Sequence, residues 1–381
     1  MTNPEGAPYH AQLLSVIAHA RAGALDRAWA MYGALDPAGV AGDPAALAVK
    51  GRLLKDLASR AEGPARLALY RDAAQAYRQA ADAGGATYPL INAATLSLLC
   101  GARALSHQLA EDALARIAAH PDEPETPYYR AATRAEALLL LGREAEARTA
   151  LAEGMALAPL AWEDHASTLR QFAIILDTLG QDASWLDAHR PPRSLHFGGH
   201  MAFRAGPAPT ALSRAIAAVL AEERVGFGYG ALAAGADIIV AEALIDRGAA
   251  LHVILPGSVE GFAGVSVDPH GVEWRRRFDA ALAAAETVRS VEPARGAPDE
   301  TMIALADEIA MGSTLINARL LASEGLQLLV LPDDASGAEG ASMRSRDAWA
   351  GGGRRQHILS AAREVVTVPS GSVSVITPSL R

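Results

Sequence analysis

The chain has few of the residues on which several classes of protein depend. Its 381 residues include one cysteine, Cys100, so no internal disulfide can form, and its apolar neighbours (LSLLCGA) predict a buried thiol. Only 20% of the residues are charged, aromatic residues make up 5%, and the formal net charge is −9. Binding a phosphate backbone requires a basic surface, so this charge argues against nucleic acid as the main partner.

Motifs for metal binding and for common catalytic machinery are also missing. The eleven histidines are scattered, without H-x-x-E-H or a cysteine cluster, so no metal site is predicted. Neither a GxSxG elbow nor a Walker A sequence occurs. The first 25 residues lack the basic start and apolar core of a signal peptide, and no apolar run reaches the roughly 18 residues of a membrane helix. We therefore expect a soluble cytoplasmic protein without a membrane segment.

The first half of the chain is rich in alanine and leucine at helical spacing. Glycine and proline interrupt this pattern at intervals typical of helical hairpins, and strand signals are absent. We predict helices over residues 9–22, 25–35, 45–61, 64–83, 88–100, 103–119, 126–141, 143–157 and 161–179.

The spacing of these helices indicates a tetratricopeptide-like array, whose repeat is about 34 residues long. In the clearest unit, Gly142 ends the first helix, Ala147 lies where the two helices cross, and Pro159 closes the unit. The same spacing begins at Gly23 and, less regularly, at Gly101. Such arrays present a concave surface that binds a peptide or a partner protein. The alternative is that this half packs on the second half as a scaffold or lid.

The period changes after Pro191 and Pro192, which break a helix and mark a domain boundary. We predict strands over 194–198, 224–227, 250–255, 287–291, 326–331 and 364–368, with a short pair-like stretch at 372–376. We predict helices between them over 210–222, 231–247, 272–285, 299–323 and 339–351. Strands that alternate with helices predict a doubly wound, Rossmann-like parallel sheet. The fold class is thus multidomain α + α/β, with a helical domain over 1–190 and a parallel-sheet domain over 191–381.

In a parallel sheet the ligand lies beyond the carboxyl ends of the strands. Several glycine-rich segments follow predicted strands, and a glycine loop before a helix can hold a phosphate or another anion. The candidate ligand-binding residues in these segments are Gly198, Gly199, His200, Gly228, Tyr229, Gly230, Gly235, Asp237, Gly337, Gly340 and Ser342.

Each of these side chains has an alternative role. His200 could donate to a phosphate or lie exposed in a tight turn. Tyr229 could stack on a base or pack at a hinge. Asp237 could contact a ligand or complement the helix dipole. Glu242 lies in an otherwise apolar helix, so it needs a partner, for which Arg275 and Arg277 are the candidates.

Five segments together resemble the SLOG superfamily, a group of Rossmann-like domains that includes the LOG proteins and DNA-processing protein A. These segments are HFGGH, GYGALAAGADIIVAEALIDRGAALHVILP, VEWRRRF, MGSTLINARLL and LQLLVLPD. The resemblance implies a nucleotide or nucleotide-derived ligand with its phosphates on the glycine loops. It also favours Arg277 as the aligned arginine of a W-x-x-R-F pattern. In the first half, YPLINAAT resembles the TRAFs-binding helical region that some bacterial proteins join to such a domain.

The segment 333–342 (DDASGAEGAS) is the counterpart of the LOG loop PGGxGTxxE and departs from it. Gly340 is followed by Ala341, and Ser345 stands where the family has its glutamate. The resemblance implies that this glutamate helps to cleave an N-glycosidic bond, so hydrolysis would require Glu242 or Glu260 to replace it.

We therefore expect a sensor or adaptor that binds a nucleotide-like small molecule in its second domain and a protein partner on its helical array. The alternatives are a LOG-like N-glycosidase acting on a nucleotide or an NAD-like substrate, and a non-catalytic scaffold. No cofactor is required, no membrane is involved, and a homo-oligomer is compatible with the sequence.

Overall fold

The structure is a computed structural model that describes residues 9–120, 126–201, 210–292, 297–332 and 341–361. Contacts between Cα atoms divide the chain into two units, Met1–His189 and Arg190–Arg381. Within the described residues, no helix is long and apolar enough to cross a membrane.

The described residues of the N-terminal unit form helices joined by short turns. These are α1 (His10–Arg21), α2 (Leu25–Gly33), α3 (Pro37–Val40), α4 (Pro44–Ala58), α5 (Gly63–Gly84), α6 (Thr87–Leu99), α7 (Arg103–Ala119), α8 (Pro127–Leu140), α9 (Glu144–Leu157) and α10 (Trp162–Leu179), followed by a 3-10 helix (Ser184–His189).

Local capping explains where several of these helices begin. The Asp43 carboxylate accepts a hydrogen bond from the N–H of Ala45 at 2.7 Å, and Pro44 occupies the first position of α4. The Thr126 hydroxyl caps α8 in the same way. A side-chain acceptor satisfies an N–H group that lacks a partner within the helix, and proline has no such group to lose.

The packing of the helical hairpins follows the spacing in the sequence. Gly23, Gly101 and Gly142 each have a positive φ and connect two helices of a hairpin. The residues five positions later are completely buried in every case: Ala28, Ser106 and Ala147. Small residues at these positions let the helices approach closely. Cys100 beside the second turn is half-buried rather than buried, and burial raises the pKa of its thiol.

The C-terminal unit contains a six-stranded sheet in which every strand pair is parallel, in the order β4-β3-β2-β1-β5-β6. Its strands are β1 (Arg193–Gly199), β2 (Val225–Gly230), β3 (Ala250–Leu255), β4 (Thr287–Ser290), β5 (Gly325–Pro332) and β6 (Gln356–Ala361). Its helices are α11 (Thr210–Glu222), α12 (Ala236–Asp246), α13 (Val259–Ser266), α14 (Val272–Ala284), α15 (Glu300–Leu320) and α16 (Ala341–Gly351), with a 3-10 helix at Asp268–His270.

Alternate residues of the strands face two different layers of helices. Leu195 and Phe197 of β1 belong to a core formed with α11, α12 and α14. His196 points to the other side, where it meets Asp307 of α15. Tyr229 of β2 packs against α15 on that same side. Helices therefore cover both faces of the parallel sheet, which explains why most side chains of β3 and β5 are apolar.

The structure differs from the sequence prediction in the glycine-rich segment after β2. This strand extends through Gly230, whereas the predicted strand ends at 227. α12 begins at Ala236, so residues 231–235 form a loop instead of the predicted first turn of a helix. The loop in the structure is therefore shorter than the predicted turn and begins later in the chain.

In the C-terminal unit, one further α-helix and one further strand have no counterpart in the prediction. They are α13, which follows β3, and β6, which forms the edge of the sheet beside β5. The strands predicted over 364–368 and 372–376 lie outside the described residues.

Candidate functional site

The carboxyl ends of β1 and β5 lie at the point where the order of the sheet reverses. These strands are neighbours, but the helices that follow them lie on opposite faces, α11 beside α12 and α16 beside α15. In open parallel sheets a crevice forms outside the strand ends at such a switch point. We call this region the carboxyl edge.

Gly199 lies at the centre of the carboxyl edge and is tightly enclosed. A Cβ atom there would lie 2.4 Å from the carbonyl oxygen of Val330 in β5 and 2.7 Å from the Cβ of Ala236 in α12. The N–H of His200 donates to Val330 at 2.9 Å, and the carbonyl of His200 accepts from the N–H of Ala236 at 3.2 Å. Two strands and a helix therefore meet where no side chain fits.

Gly235 supplies the turn that starts α12. Its φ of 119° and ψ of −126° lie in a region that only glycine adopts readily. It also forms an antiparallel bridge with Met201, just beyond β1. The start of α12 is thus fixed against the end of β1 by backbone contacts at His200 and Met201.

Gly228 and Gly230 lie within β2 and not in the predicted turn. A Cβ atom at Gly228 would lie 2.3 Å from the Leu244 side chain of α12. A Cβ atom at Gly230 would lie 2.6 Å from the carbonyl oxygen of Phe197. Both glycines therefore make room for neighbouring parts of the fold.

Asp237 is a buried carboxyl in the first turn of α12, 7% exposed. Its Oδ2 accepts from the N–H of Ala233 at 3.1 Å, and the N–H of Gly199 also hydrogen-bonds to it. Burial raises the pKa of Asp237 to about 7 against the opposing effect of these hydrogen bonds, and the nearby Asp307 raises it further. The side chain therefore ties the 231–235 loop to β1 and can change its charge near neutral pH.

Gly198 leaves space beside Asp237. A Cβ atom at Gly198 would meet Leu329 at 3.7 Å and Oδ1 of Asp237 at 4.0 Å, both ordinary van der Waals distances. His196 points to the same face because it lies two residues earlier in the strand. Its Nε2 lies 3.0 Å from Oδ1 of Asp307. An aspartate from α12 and an aspartate from α15 therefore lie on the side of β1 where Gly198 has no side chain.

A buried polar network surrounds His196 and has no counterpart among the sequence predictions. Gln327 of β5 lies 2.9 Å from Nδ1 of His196 and 2.9 Å from the hydroxyl of Ser345 in α16. Gln356 of β6 donates to Gln327. The available signal is an imidazole or amide side chain within a mainly apolar strand: His196 in SLHFGG and Gln327 in LQLLVLP. Buried polar groups require partners, but only the pairing of β1 with β5 shows that these two are opposite each other.

Ser342 reaches the carboxyl edge from α16. Its hydroxyl donates to the carbonyl of Gly199 at 3.4 Å. α12 and α16 therefore both begin beside the end of β1, and helix N-termini favour anions through their unpaired N–H groups and dipole. The other two candidates on this loop, Gly337 and Gly340, lie outside the described residues.

The ring of Tyr229 is already covered. It stacks on His252 with ring centroids 4.6 Å apart and packs under Ala306 and Ala310 of α15. Burial raises the pKa of Tyr229 to about 12. Of the two roles considered for Tyr229, stacking on a base or packing within the protein, the structure shows packing.

Glu242 and Arg277 hold each other between α12 and α14. The Arg277 guanidinium donates to both oxygens of Glu242, with Nε 2.7 Å from Oε1, and stacks on Trp274 at 4.2 Å. Arg277 is 9% exposed. Glu242 lies about 9 Å along the helix axis from the start of α12. This pair therefore joins two helices away from the carboxyl edge.

Glu260 is near the carboxyl edge, because α13 follows β3, but its side chain is 76% exposed. It accepts from Nη2 of Arg275 at 2.8 Å. Arg275 also contacts Asp268 and Asp279. The carboxylate of Glu260 thus belongs to a surface ion-pair cluster.

Taken together, the structure brings six predicted residues to one edge: Gly198, Gly199, His200, Gly235, Asp237 and Ser342. It adds Asp307 and His196. It places Arg277 and Glu242 elsewhere. No group of three or more potential metal-binding side chains occurs among the residues that the structure describes.

A second candidate surface lies on the N-terminal unit, where α6, α8 and α10 contact one another. Thr95 of α6 and Gln171 of α10 both donate to Glu136 of α8, and burial raises the pKa of this glutamate. Tyr88 and Tyr129 lie seven residues before Thr95 and Glu136, on the same helix faces. Both are about two-fifths exposed. We call these residues the α6–α8–α10 surface.

Comparison with known proteins identifies the helical unit. Residues 2–97 match the family model of Tetratricopeptide Repeats-Sensor (TPR-S) proteins. The N-terminal unit is a tetratricopeptide-like domain. No curated protein matches the chain. Among solved structures, a mutant O-GlcNAc transferase of Thermobaculum terrenum has 14% sequence identity, with 84% of this chain and 75% of that chain covered. Its TM-score is 0.22.

Proposed function

We propose that the protein is a cytoplasmic sensor or adaptor, in which the C-terminal unit binds a nucleotide-derived ligand and the tetratricopeptide-like domain binds a protein partner. One observation supports the ligand site above the others: α12 and α16 both begin beside Gly199, at the switch point of a parallel sheet. Two helix N-termini at one point favour a phosphate group. The match to a sensor family supports the signalling role.

The proposal includes membership of the C-terminal unit in the SLOG superfamily. The parallel sheet with helices on both faces and the glycine-rich ends of β1 and β2 are compatible with a Rossmann-like domain of this kind. Under this proposal the phosphates lie at the carboxyl edge, near Gly199, Gly235 and Ser342, and Gly198 borders the rest of the ligand.

The ligand site can be tested by measuring melting temperatures with nucleoside monophosphates, NAD and ADP-ribose at about 1 mM. We expect at least one of them to raise the melting temperature, because a ligand that binds only the folded state stabilises it. Gly198→Ala adds one carbon to the space at the carboxyl edge, so it should reduce this shift.

Gly264→Ala is the matched control, because a Cβ atom at that position of α13 meets nothing within 4 Å. It should leave the shift unchanged. If no nucleotide raises the melting temperature, the scaffold alternative is favoured. An equal shift in both glycine variants would place the ligand elsewhere.

The second candidate function is hydrolysis of an N-glycosidic bond. Glu242 and Glu260 are both engaged in ion pairs, but Asp237 and Asp307 lie on the same side of β1 in different environments. Two carboxyl groups of this kind can divide the roles of acid and base. Release of ribose 5-phosphate from a nucleoside monophosphate, or of nicotinamide from NAD, would support this function if Asp307→Asn abolishes it. If a nucleotide binds but neither ribose 5-phosphate nor nicotinamide is released, only the sensor function remains.

The partner site can be tested by copurification with the full chain. Tyr88 and Tyr129 expose aromatic surface on the α6–α8–α10 surface, and aromatic side chains contribute strongly to protein interfaces. We expect proteins enriched by the wild type to be lost with the pair of changes Tyr88→Ala and Tyr129→Ala. Val272→Ala, an exposed position in the other unit, is the control. Equal recovery with all three baits would exclude this surface.

A further inference from the structure

Donors and acceptors in the hydrogen-bond chain around His196 can be assigned by starting at Gln356. Nε2 of Gln356 lies 3.1 Å from the backbone carbonyl of Arg346 in α16. A carbonyl only accepts, so the amide nitrogen of Gln356 must face it. The same nitrogen also contacts Oε1 of Gln327. The carbonyl oxygen of the Gln327 amide is therefore the acceptor in this pair.

The orientation of Gln327 fixes the tautomer of His196. With its oxygen turned to Gln356, the Gln327 side chain presents its NH₂ group to His196 Nδ1 and to Ser345, both at 2.9 Å. Nδ1 of His196 must then accept, so the ring hydrogen is on Nε2. Nε2–H donates to Oδ1 of Asp307 at 3.0 Å.

The members of this chain differ in their access to solvent. His196 and Gln327 are completely buried and Ser345 is nearly so, whereas the side chain of Asp307 is 28% exposed. The ring of Trp349 lies beside His196, with centroids 6.0 Å apart. The chain of donors thus ends at one accessible carboxylate, and its buried members hold that carboxylate in place.

The surroundings of Asp307 favour one kind of ligand group. Asp237 lies close enough to interact with it electrostatically, on the side of β1 where Gly198 leaves space. Two carboxyl groups repel a phosphate, but they accept hydrogen bonds from hydroxyl groups. The helix N-termini beside Gly199 suit the phosphate instead.

We propose that Asp307 accepts hydrogen bonds from the sugar hydroxyls of a ribose phosphate group, and that His196, Gln327 and Gln356 are positioning residues that orient it. This inference rests on the proposed nucleotide-derived ligand and adds the part of the ligand that is recognised. The inference assigns no contact to the nucleobase.

The positioning chain can be tested without a ligand, by NMR of the full chain with ¹⁵N-labelled histidine. The His196 signals are identified by their loss in His196→Gln. We expect the Nε2–H tautomer. In Gln327→Glu a carboxylate replaces the amide that donates to Nδ1, so the ring should carry a hydrogen on Nδ1 as well. A wild-type His196 that carries a hydrogen on Nδ1 would overturn the assignment.

The ligand contact is tested by calorimetry with ribose 5-phosphate, 2-deoxyribose 5-phosphate and inorganic phosphate. The wild type should bind ribose 5-phosphate with about tenfold higher affinity than 2-deoxyribose 5-phosphate, because the 2-hydroxyl donates a hydrogen bond to a charged acceptor. Asp307→Asn should remove this preference and leave the affinity for phosphate unchanged. Binding of both sugar phosphates without preference would refute the role of Asp307 while the proposed function stands. If neither these sugars nor any nucleotide binds, the proposed function and the ligand contact both fail, and the NMR result alone decides the positioning chain.

Discussion

Among single residues, Asp237 gives the clearest link between burial and behaviour in solution. Its pKa is raised by burial to about 7, from about 3.8 in an unfolded chain. Between these pH values the unfolded chain loses a proton that the folded protein keeps. Folding is therefore less favourable as pH rises from about 4 to about 7, by up to about 4 kcal/mol, and the effect is constant above that range.

This pH dependence can be measured by urea unfolding of the wild type and Asp237→Asn from pH 4 to pH 8. The variant lacks the titrating group, so the free energy of unfolding of the wild type should fall relative to it as pH rises, and level off above about pH 7. A difference that does not vary with pH would show that Asp237 is not protonated in the folded state at neutral pH.

Gly198 and Gly199 are adjacent but should respond differently to the same substitution. Gly199→Ala places a carbon atom 2.4 Å from a backbone oxygen of β5, so strands must move apart. We expect a loss of about 3 kcal/mol in the free energy of unfolding, as for other overpacked positions. Gly198→Ala meets its neighbours at ordinary distances and should change stability by less than about 1 kcal/mol. Equal losses in chemical denaturation would contradict the packing described for β1.

Among elements, α12 and α14 are joined by an ion pair in addition to the apolar core that they share. Glu242→Ala leaves the guanidinium of Arg277, 9% exposed, without the carboxylate that it contacts. The expected cost is about 3 kcal/mol, because a largely buried guanidinium loses the carboxylate that accepts two of its hydrogen bonds. Glu260→Ala removes an exposed ion pair and should cost less than about 1 kcal/mol. Urea unfolding of both variants checks this; similar values for the two would show that the pair does not stabilise the fold.

Most helices and four strand positions follow from local patterns, but three elements show the limits of such patterns. β2 contains three glycines, which favour a turn locally. The structure makes them part of a strand because β1 and β3 pair with it on both sides. β6 is an edge strand with partly exposed residues and lacks an apolar run. α13 has only eight residues, too few for a helical period to stand out.

At the scale of the whole molecule, the two units should fold independently. Each has its own apolar core within the described residues, one among the helices of the N-terminal unit and one around the sheet. We expect fragments 1–189 and 190–381 to unfold cooperatively by circular dichroism, the first with a purely helical spectrum. An unfolded fragment in either case would show that its core depends on the other unit.

The sequence by itself determined that the chain contains a helical half and a parallel-sheet half, because helical and strand patterns depend on neighbouring residues. It also placed Gly198, Gly199, Gly235, Asp237 and Ser342 at strand ends, which a parallel sheet gathers at one edge.

Only the tertiary structure decided that Gly198 has room for a small side chain and that Gly199 has none. It paired Glu242 with Arg277, and it joined His196 to Asp307 across 111 positions of sequence. Such contacts depend on strand order and on the layer to which each helix belongs. A local pattern carries neither, since both are set by packing among distant segments.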